Sequence, residues 1–214
     1  MVPKRVAILG STGSIGRQTL EVIAGEPGLV ACALAGNSNW ELLVEQAGKF
    51  HPQFVAMTNS QAAENLRGRL PQGTELITGD DAMTELVHRC RPDILLNGVV
   101  GAAGLAPTLA AIECGSTLAI ANKETLVMAG AIVMPAARAK GVAVLPVDSE
   151  HSAIFQCFCS GRREEVRRVV ITASGGALRD WEDHAADNAT VTDALNHPTW
   201  RMGRKITIES SWPL

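Results

Sequence analysis

Val147-Asp148-Ser149-Glu150-His151 sets two carboxylates two positions apart, directly after the apolar run Val142-Ala143-Val144-Leu145. In an extended chain, residues i and i+2 point to the same side. Asp148 and Glu150 can therefore aim at one point beyond the carboxyl end of a strand, where ligand crevices of open α/β sheets lie. Two hard oxygen donors converging there suit a divalent cation such as Mg²⁺ or Mn²⁺. Taken alone, the pair also fits an acidic loop facing water, since exposed carboxylates are common.

A second chemical signal lies near the start of the chain. Gly10-Ser11-Thr12-Gly13-Ser14-Ile15-Gly16 follows one apolar run and opens an amphipathic one. That is the place of a dinucleotide-binding turn: glycines let the backbone approach a pyrophosphate, and the free N–H groups of a helix start favour the anion. The spacing is G-x-x-G-x-x-G rather than G-x-G-x-x-G. After the next apolar run comes Ala35-Gly36-Asn37-Ser38-Asn39, with no acid until Glu41. A carboxylate there would bond a ribose hydroxyl and repel a 2′-phosphate, so its absence tilts the cofactor toward NADP. No arginine lies in that loop to hold the phosphate.

Further polar groups fall at other run ends. Ala121-Asn122-Lys123-Glu124 places a lysine where it could act on a substrate oxygen, or merely decorate a first helical turn. Val99 to Gly104 is small enough for a backbone to meet a ligand. Ser174-Gly175-Gly176 could bind an anion through the hydroxyl and N–H groups. Asn196-His197-Pro198-Thr199-Trp200 joins a possible phosphate-binding histidine to an aromatic cover.

The elements that must position these groups alternate along the chain. Strands are expected at 5–9, 29–35, 54–57, 75–78, 94–100, 117–121 and 142–145. Helices are expected at 15–24, 39–49 (capped by Ser38 or Asn39), 61–70, 82–89, 105–114 and 124–140. Regular β-α alternation with nearly all-apolar strands predicts an α/β fold, a doubly wound parallel sheet covered on both faces. Beyond Glu150 the texture changes. A strand is expected at 168–172, and 180–188 reads as a loop or short exposed helix, a candidate lid. The division is expected at 147/148, a Rossmann-like domain at 1–147 and a partial α+β domain at 148–214.

Bulk properties exclude some classes. A net charge of −3 gives no electrostatic argument for nucleic acid or an anionic membrane. No apolar run approaches the ~20 residues of a membrane span, and the first residues lack a signal peptide's apolar core, so a cytoplasmic location is expected. The five cysteines, odd in number and irregularly spaced, read as reduced, mostly buried thiols.

G-S-T-G-S-I-G, A-N-K-E, V-D-S-E-H, S-G-G, H-P-x-W and M-G-R-K-I occur here in one order. From Arg5 to about Ser210 the chain closely resembles the 1-deoxy-D-xylulose 5-phosphate reductoisomerases, NADPH-dependent enzymes of the non-mevalonate isoprenoid pathway. The resemblance implies that Thr12, Gly13, Ser14 and Ile15 hold the NADPH pyrophosphate, with Gly36, Asn37 and Ser38 at the adenosine end. Asn122, Glu124 and Gly203 would also meet the cofactor. Asp148 and Glu150 would be metal ligands for Mg²⁺ or Mn²⁺. Lys123, Ser149, Glu150, Ser174, His197 and Ser210 would contact the sugar phosphate, with Lys123 and Glu150 catalytic. Trp200 would ride on a closing loop. The implied chemistry is metal-assisted retro-aldol and re-aldol rearrangement, then hydride reduction to 2-C-methyl-D-erythritol 4-phosphate by a homodimer.

The likeness also sets an expectation for the end of the chain. The family continues after Ser210 roughly as S-A-T-x-M-N-K-x-x-E, whereas this chain reads Ser211-Trp212-Pro213-Leu214. Glu209 stands where the family usually has Asp. The substrate-binding Asn and Lys, the third metal carboxylate and a C-terminal helical domain are expected beyond it. The polypeptide as given is therefore expected to turn over little substrate while still binding NADPH. Competing readings are an inert NADPH-binding remnant and a metal-independent NADP oxidoreductase acting on an aldehyde or semialdehyde.

Overall fold

The computed structural model describes residues 2–171, 175–199, 201 and 207–208. Strand β1 (Lys4–Leu9) shows how the sheet is built: successive side chains enter opposite layers. Val6 and Ile8 join one core, Ala7 and Leu9 the other. A strand buried on both faces cannot alternate polar and apolar residues, which is why these runs are almost wholly apolar.

The chain continues as α1 (Ser14–Gly25), β2 (Leu29–Gly36), α2 (Trp40–Phe50), β3 (Phe54–Met57), α3 (Ser60–Leu66) and β4 (Glu75–Thr78). It then runs through α4 (Ala82–Cys90), β5 (Ile94–Asn97), α5 (Leu105–Cys114), β6 (Thr117–Ile120), α6 (Lys123–Ala139), β7 (Val144–Pro146) and α7 (Ser149–Cys159). The strands form one sheet in the order β4-β3-β2-β1-β5-β6-β7, each neighbouring pair parallel. Winding proceeds outward from β1 to β4, then restarts on the other side of β1 at β5. The topological switch point therefore lies between β1 and β5.

Two cores flank the sheet. Leu20 and Ile23 of α1, Leu43 and Ala47 of α2, and Leu66 of α3 close one face. Leu86 and Val87 of α4, Ala110 and Ile112 of α5, and Val133 of α6 close the other. Burying a side chain such as Leu43 or Leu86 contributes about 1.5–3 kcal/mol.

Some expected boundaries move, each for a local reason. The strand expected to reach residue 100 stops at Asn97, whose side chain turns into the layer below to bond Gly104 and Thr108. The third helix stops at Leu66 because Arg67 leaves helical angles and Gly68 has φ +72°. The strand expected at 168–172 is not formed over its described part. Val169, Val170 and Ile171 are exposed, and no described strand of that region offers them a ladder. All five cysteines are free thiols, but only Cys32 and Cys90 are buried; Cys157 and Cys159 are exposed.

The chain divides into two compact units, Met1–Phe155 and Gln156–Leu214. Asp148 and Glu150 thus share a unit with the whole sheet. In the second unit α8 (Asp183–Ala186) falls within the stretch read as loop or short helix. Helix α9 (Val191–Ala194) was not expected. Its signal was legible nonetheless: Thr190 and Asp193 form a reciprocal capping box.

Two glycine substitutions should act in opposite directions. A methyl group on Gly16 would lie 2.4 Å from both the Gly10 carbonyl oxygen and Ser11 Cα, backbone atoms that cannot retreat. Gly16→Ala should cost about 3 kcal/mol or more in denaturant unfolding. Gly48 sits inside α2 with open space around it, so Gly48→Ala should gain roughly 0.5–1 kcal/mol.

Candidate active site

Because the strands are parallel, the segments with chemical potential leave the sheet at one edge. They are residues 10–16 after β1, 36–39 after β2, 98–104 after β5, 121–124 after β6 and 147–150 after β7.

The first turn is fixed from below. Gly10 and Ser11 N–H groups both donate to the Ala35 carbonyl at 2.9 Å, and Gly13 N–H donates to Gly10 at 3.0 Å. Gln46 of α2 donates its amide to the Ser11 carbonyl at 2.9 Å. Gly10 has φ +79°, and a Cβ there would lie 2.9 Å from the Gly98 carbonyl oxygen, so β1 and β5 meet through bare backbone. Asn39, Asn59 and Asn122 cap the starts of α2, α3 and α6 with their side-chain oxygens, at 3.2, 2.9 and 2.8 Å. Helix α1 is different: Gly13 stands at its N-cap with no side-chain acceptor, and its first turn holds no acid. Its leading N–H groups and positive dipole end are left for an anion. Thr12, Gly13 and Ser14 are exposed or half-exposed around that end, and Ile15 packs toward Gly98. Ser11 Oγ, fully buried, has no hydrogen-bond partner among the described residues.

At the end of β2, Gly36 lies against Thr12, and Asn39 rather than Ser38 supplies the cap of α2. Asn37 donates its amide to Thr58 Oγ1 at 2.8 Å. Asn37, Thr58, Asp80, Asp81, Ala102 and Pro107 help line a cleft of about 320 Å³. Thr58 and Asp80 had no motif to mark them, yet each follows a strand end, β3 or β4, and position in the sheet is the signal. Asp80 and Asp81 also make this end of the cleft more acidic than residues 36–41 suggest.

Two buried asparagines shape the wall between β5 and β6. Asn97 Nδ2 donates to the Gly104 carbonyl at 3.0 Å and to Thr108 Oγ1 at 2.8 Å. Asn122 Nδ2 donates to the carbonyls of Val99 at 2.7 Å and Gly101 at 3.0 Å. Asn122 Oδ1 accepts from the Thr125 N–H and the Thr125 hydroxyl. Every polar atom of Asn122 is thus engaged within the fold, and what it presents to a ligand is the loop it holds. Lys123 and Glu124 form the first turn of α6, with Lys123 exposed.

Asp148 and Glu150 do converge, though not as an extended i, i+2 pair. Ser149 already begins α7, and the Ser152 N–H donates to the Asp148 carbonyl at 2.8 Å. Asp148 therefore stands at the helix start and Glu150 in its first turn, where the dipole favours negative charge. His151 Nδ1 lies 2.9 Å from Asp148 Oδ1, and Ser149 Oγ donates to Glu150 Oε2 at 2.7 Å. Partial burial works against ionised Asp148. The hydrogen bond and charge of His151, a hydrogen bond with Glu150 and the charge of Lys123 outweigh it and hold the carboxyl below its ordinary value. Lys123 and Glu150 thus both bear on Asp148 at the ends of β6 and β7. Among the described residues no three His, Cys, Asp or Glu side chains cluster to hold a metal ion.

In the second unit His197 is buried, and the Thr199 N–H donates to its Nδ1 at 3.1 Å, which leaves Nε2 to carry the neutral ring's proton. Ser174, Trp200, Gly203 and Ser210 lie outside the described residues. Among the described residues no helix is long and apolar enough to cross a membrane.

Comparison with known proteins agrees with this arrangement. Residues 6–130 match the family model for 1-deoxy-D-xylulose 5-phosphate reductoisomerase, and residues 144–212 match the model for that enzyme's C-terminal domain. The reductoisomerase of Exiguobacterium sibiricum is 47% identical over 209 residues, covering 97% of this chain and 54% of its own length. The Zymomonas mobilis reductoisomerase, solved in complex with NADPH, superposes with a TM-score of 0.87 at 38% identity, over 98% of this chain and 54% of that one. A reductoisomerase in complex with NADPH, fosmidomycin and magnesium gives a TM-score of 0.83 at 37% identity, over 97% of this chain and 54% of that one. The chain spans about half the length of the curated relatives it matches.

The role of Asn122 can be separated into its two halves. Asn122→Ala should lose both the α6 cap and the loop bonds, lowering stability by about 2–4 kcal/mol in urea unfolding. Asn122→Asp keeps the capping oxygen but sets a carboxylate oxygen against the Val99 and Gly101 carbonyls, and should cost at least as much as Ala.

Proposed function

The chain belongs to the 1-deoxy-D-xylulose 5-phosphate reductoisomerase family, and from that premise we propose that its protein converts 1-deoxy-D-xylulose 5-phosphate to 2-C-methyl-D-erythritol 4-phosphate. The observation that carries the reading is that Lys123, Asp148 and Glu150 follow β6 and β7 on the same sheet edge as the uncapped α1 turn. Three strand spacings separate β1 from β7, about 14 Å. An extended dinucleotide bound at the turn can reach across that distance.

The residues fit both implied groups. Thr12, Gly13, Ser14 and Ile15 surround free helix-start amides suited to a pyrophosphate, and Asn37, between Gly36 and Ser38 in the chain, lines the cleft an adenosine would enter. Asp148 and Glu150 are hard oxygen donors suited to Mg²⁺ or Mn²⁺. When bound, the metal polarises the substrate's carbonyl and hydroxyl oxygens, and NADPH delivers the hydride. The chain's residues then have distinct tasks. Asp148, kept ionised by its neighbours, supplies a permanent anion. Glu150 offers carboxyl oxygens at the reacting end, one of them accepting from the Ser149 hydroxyl. Lys123 places a cation beside the substrate oxygens. The loop at 98–104, held by Asn97 and Asn122, gives the nicotinamide end a rigid floor. His197 and Ser174 would take the phosphate, and Gly203 and Ser210 would complete the contacts of cofactor and substrate. In this reading residues 1–147 form the nucleotide domain and 148–214 begin the catalytic domain of a cytoplasmic homodimer.

Calorimetric titration tests the cofactor half. NADPH should bind this chain at least about tenfold more tightly than NADH, and absence of binding at millimolar NADPH would overturn the reading. Ser14→Asp should weaken NADPH binding tenfold or more, by about 1.4 kcal/mol, yet leave thermal stability equal or slightly raised. An acid suits a helix start but repels a diphosphate. For the reaction half, Asp148→Asn in the whole protein should cut NADPH oxidation with substrate and Mg²⁺ by about 100-fold or more. NADPH affinity should stay unchanged.

A further inference from the structure

A second chemically loaded site lies in the lower part of the sheet, away from the strand ends that carry the proposed activity. Cys32 of β2 and Cys90, the last residue of α4, are 58 positions apart in sequence, yet their sulfurs sit 3.1 Å apart and share a hydrogen bond. Both are buried free thiols in the core beneath α4. We infer that Cys32 and Cys90 form an oxidisable dithiol that a hydroperoxide closes to a disulfide, tying β2 to the end of α4.

Three features distinguish this pair from inert core thiols. The first is proximity: a disulfide sets its sulfurs at about 2.05 Å, so about 1 Å of movement closes the bond. The second is a fixed cation. Arg5 Nη2 lies 3.6 Å from Cys90 Sγ and also donates to Gln53 Oε1 at 3.2 Å, while Nη1 donates to the Arg91 carbonyl at 3.3 Å. The partly exposed guanidinium sets Cys90 one side chain from water and stabilises its thiolate. The third is asymmetry. The shared hydrogen bond and Arg5 lower the Cys90 pKa, whereas that bond and burial raise Cys32. One sulfur is thereby prepared as nucleophile and the other kept as thiol, the division that thiol-disulfide chemistry needs.

The reaction balances with hydrogen peroxide as the two-electron oxidant. Cys90 thiolate attacks peroxide: an S–O bond forms, the O–O bond breaks and hydroxide leaves. Cys32 sulfur then attacks the sulfenic sulfur. The S–S bond forms, the S–O bond breaks, and hydroxide departs as water with the Cys32 proton. Two thiols and one peroxide yield one disulfide and two waters.

The test leaves the buried pair untouched. In a Cys114→Ser, Cys157→Ser, Cys159→Ser chain only Cys32 and Cys90 remain. Hydrogen peroxide treatment of the folded protein should remove both titratable thiols, lower the intact mass by two hydrogens, and yield a non-reduced peptide joining Cys32 to Cys90. Dithiothreitol should reverse all three. Arg5→Gln should slow closure several-fold while leaving the linked peptide the same. Two surviving thiols, a chain-to-chain disulfide, or stable addition of oxygen to either cysteine would each overturn the proposal.

Discussion

The whole arrangement depends on backbone meeting backbone between β1, the start of α1 and the end of β5. Gly16 faces the Gly10 carbonyl oxygen and Ser11 Cα at a distance that excludes a methyl group, and Gly10 faces the Gly98 carbonyl in the same way. No side chain intervenes, so α1 can start immediately above the sheet with its amides pointing outward. Ala35 receives two N–H bonds from this turn, which couples the turn to β2 as well. The switch point between β1 and β5 then becomes a crevice floored by bare backbone.

A crevice of this kind needs walls that do not collapse into it, and polar side chains supply them. Asn97 and Asn122 are almost fully buried, at 1% exposure each, and each holds the loop at 98–104 from one side. Burying two amides is unfavourable unless their donors and acceptors are matched. Here Asn122 is matched completely, and Asn97 Nδ2 has two acceptors. The loop is therefore rigid at the place where its sequence, Gly101-Ala102-Ala103-Gly104, offers almost no side chain of its own.

What could be read from the sequence follows from period and position. The apolar run Phe54–Met57 stands where the pattern puts it, because burial on both faces leaves no alternative register, and Glu75–Thr78 and the helix Leu105–Cys114 also stand where the alternation puts them. The turn at Gly10 was legible because only glycine meets its steric demand. Convergence of non-local groups was not. Thr58 and Asp80 reach the cleft only through strand order, and Cys32 meets Cys90 only through the packing of α4 on β2. Residues 168–171, the described part of the run at 168–172, form no strand for a related reason: β propensity states a preference, but a ladder needs a neighbour, and none is described there.

Asp148 and Glu150 show how such a preference is settled by context. Two carboxylates brought within hydrogen-bonding reach repel, and burial of one would ordinarily protonate it. Three neighbours oppose that outcome here: the imidazole of His151, a hydrogen bond with Glu150 and the ammonium of Lys123. Their combined effect keeps Asp148 an acceptor with no proton to give. The extended-strand geometry that first suggested the pair is absent, yet the helix start achieves the same convergence and adds a dipole that a strand end lacks. Substituting a strand for α7 would keep the spacing and lose the charge balance. It is the helix, more than the two-residue interval, that sets the charge balance around Asp148.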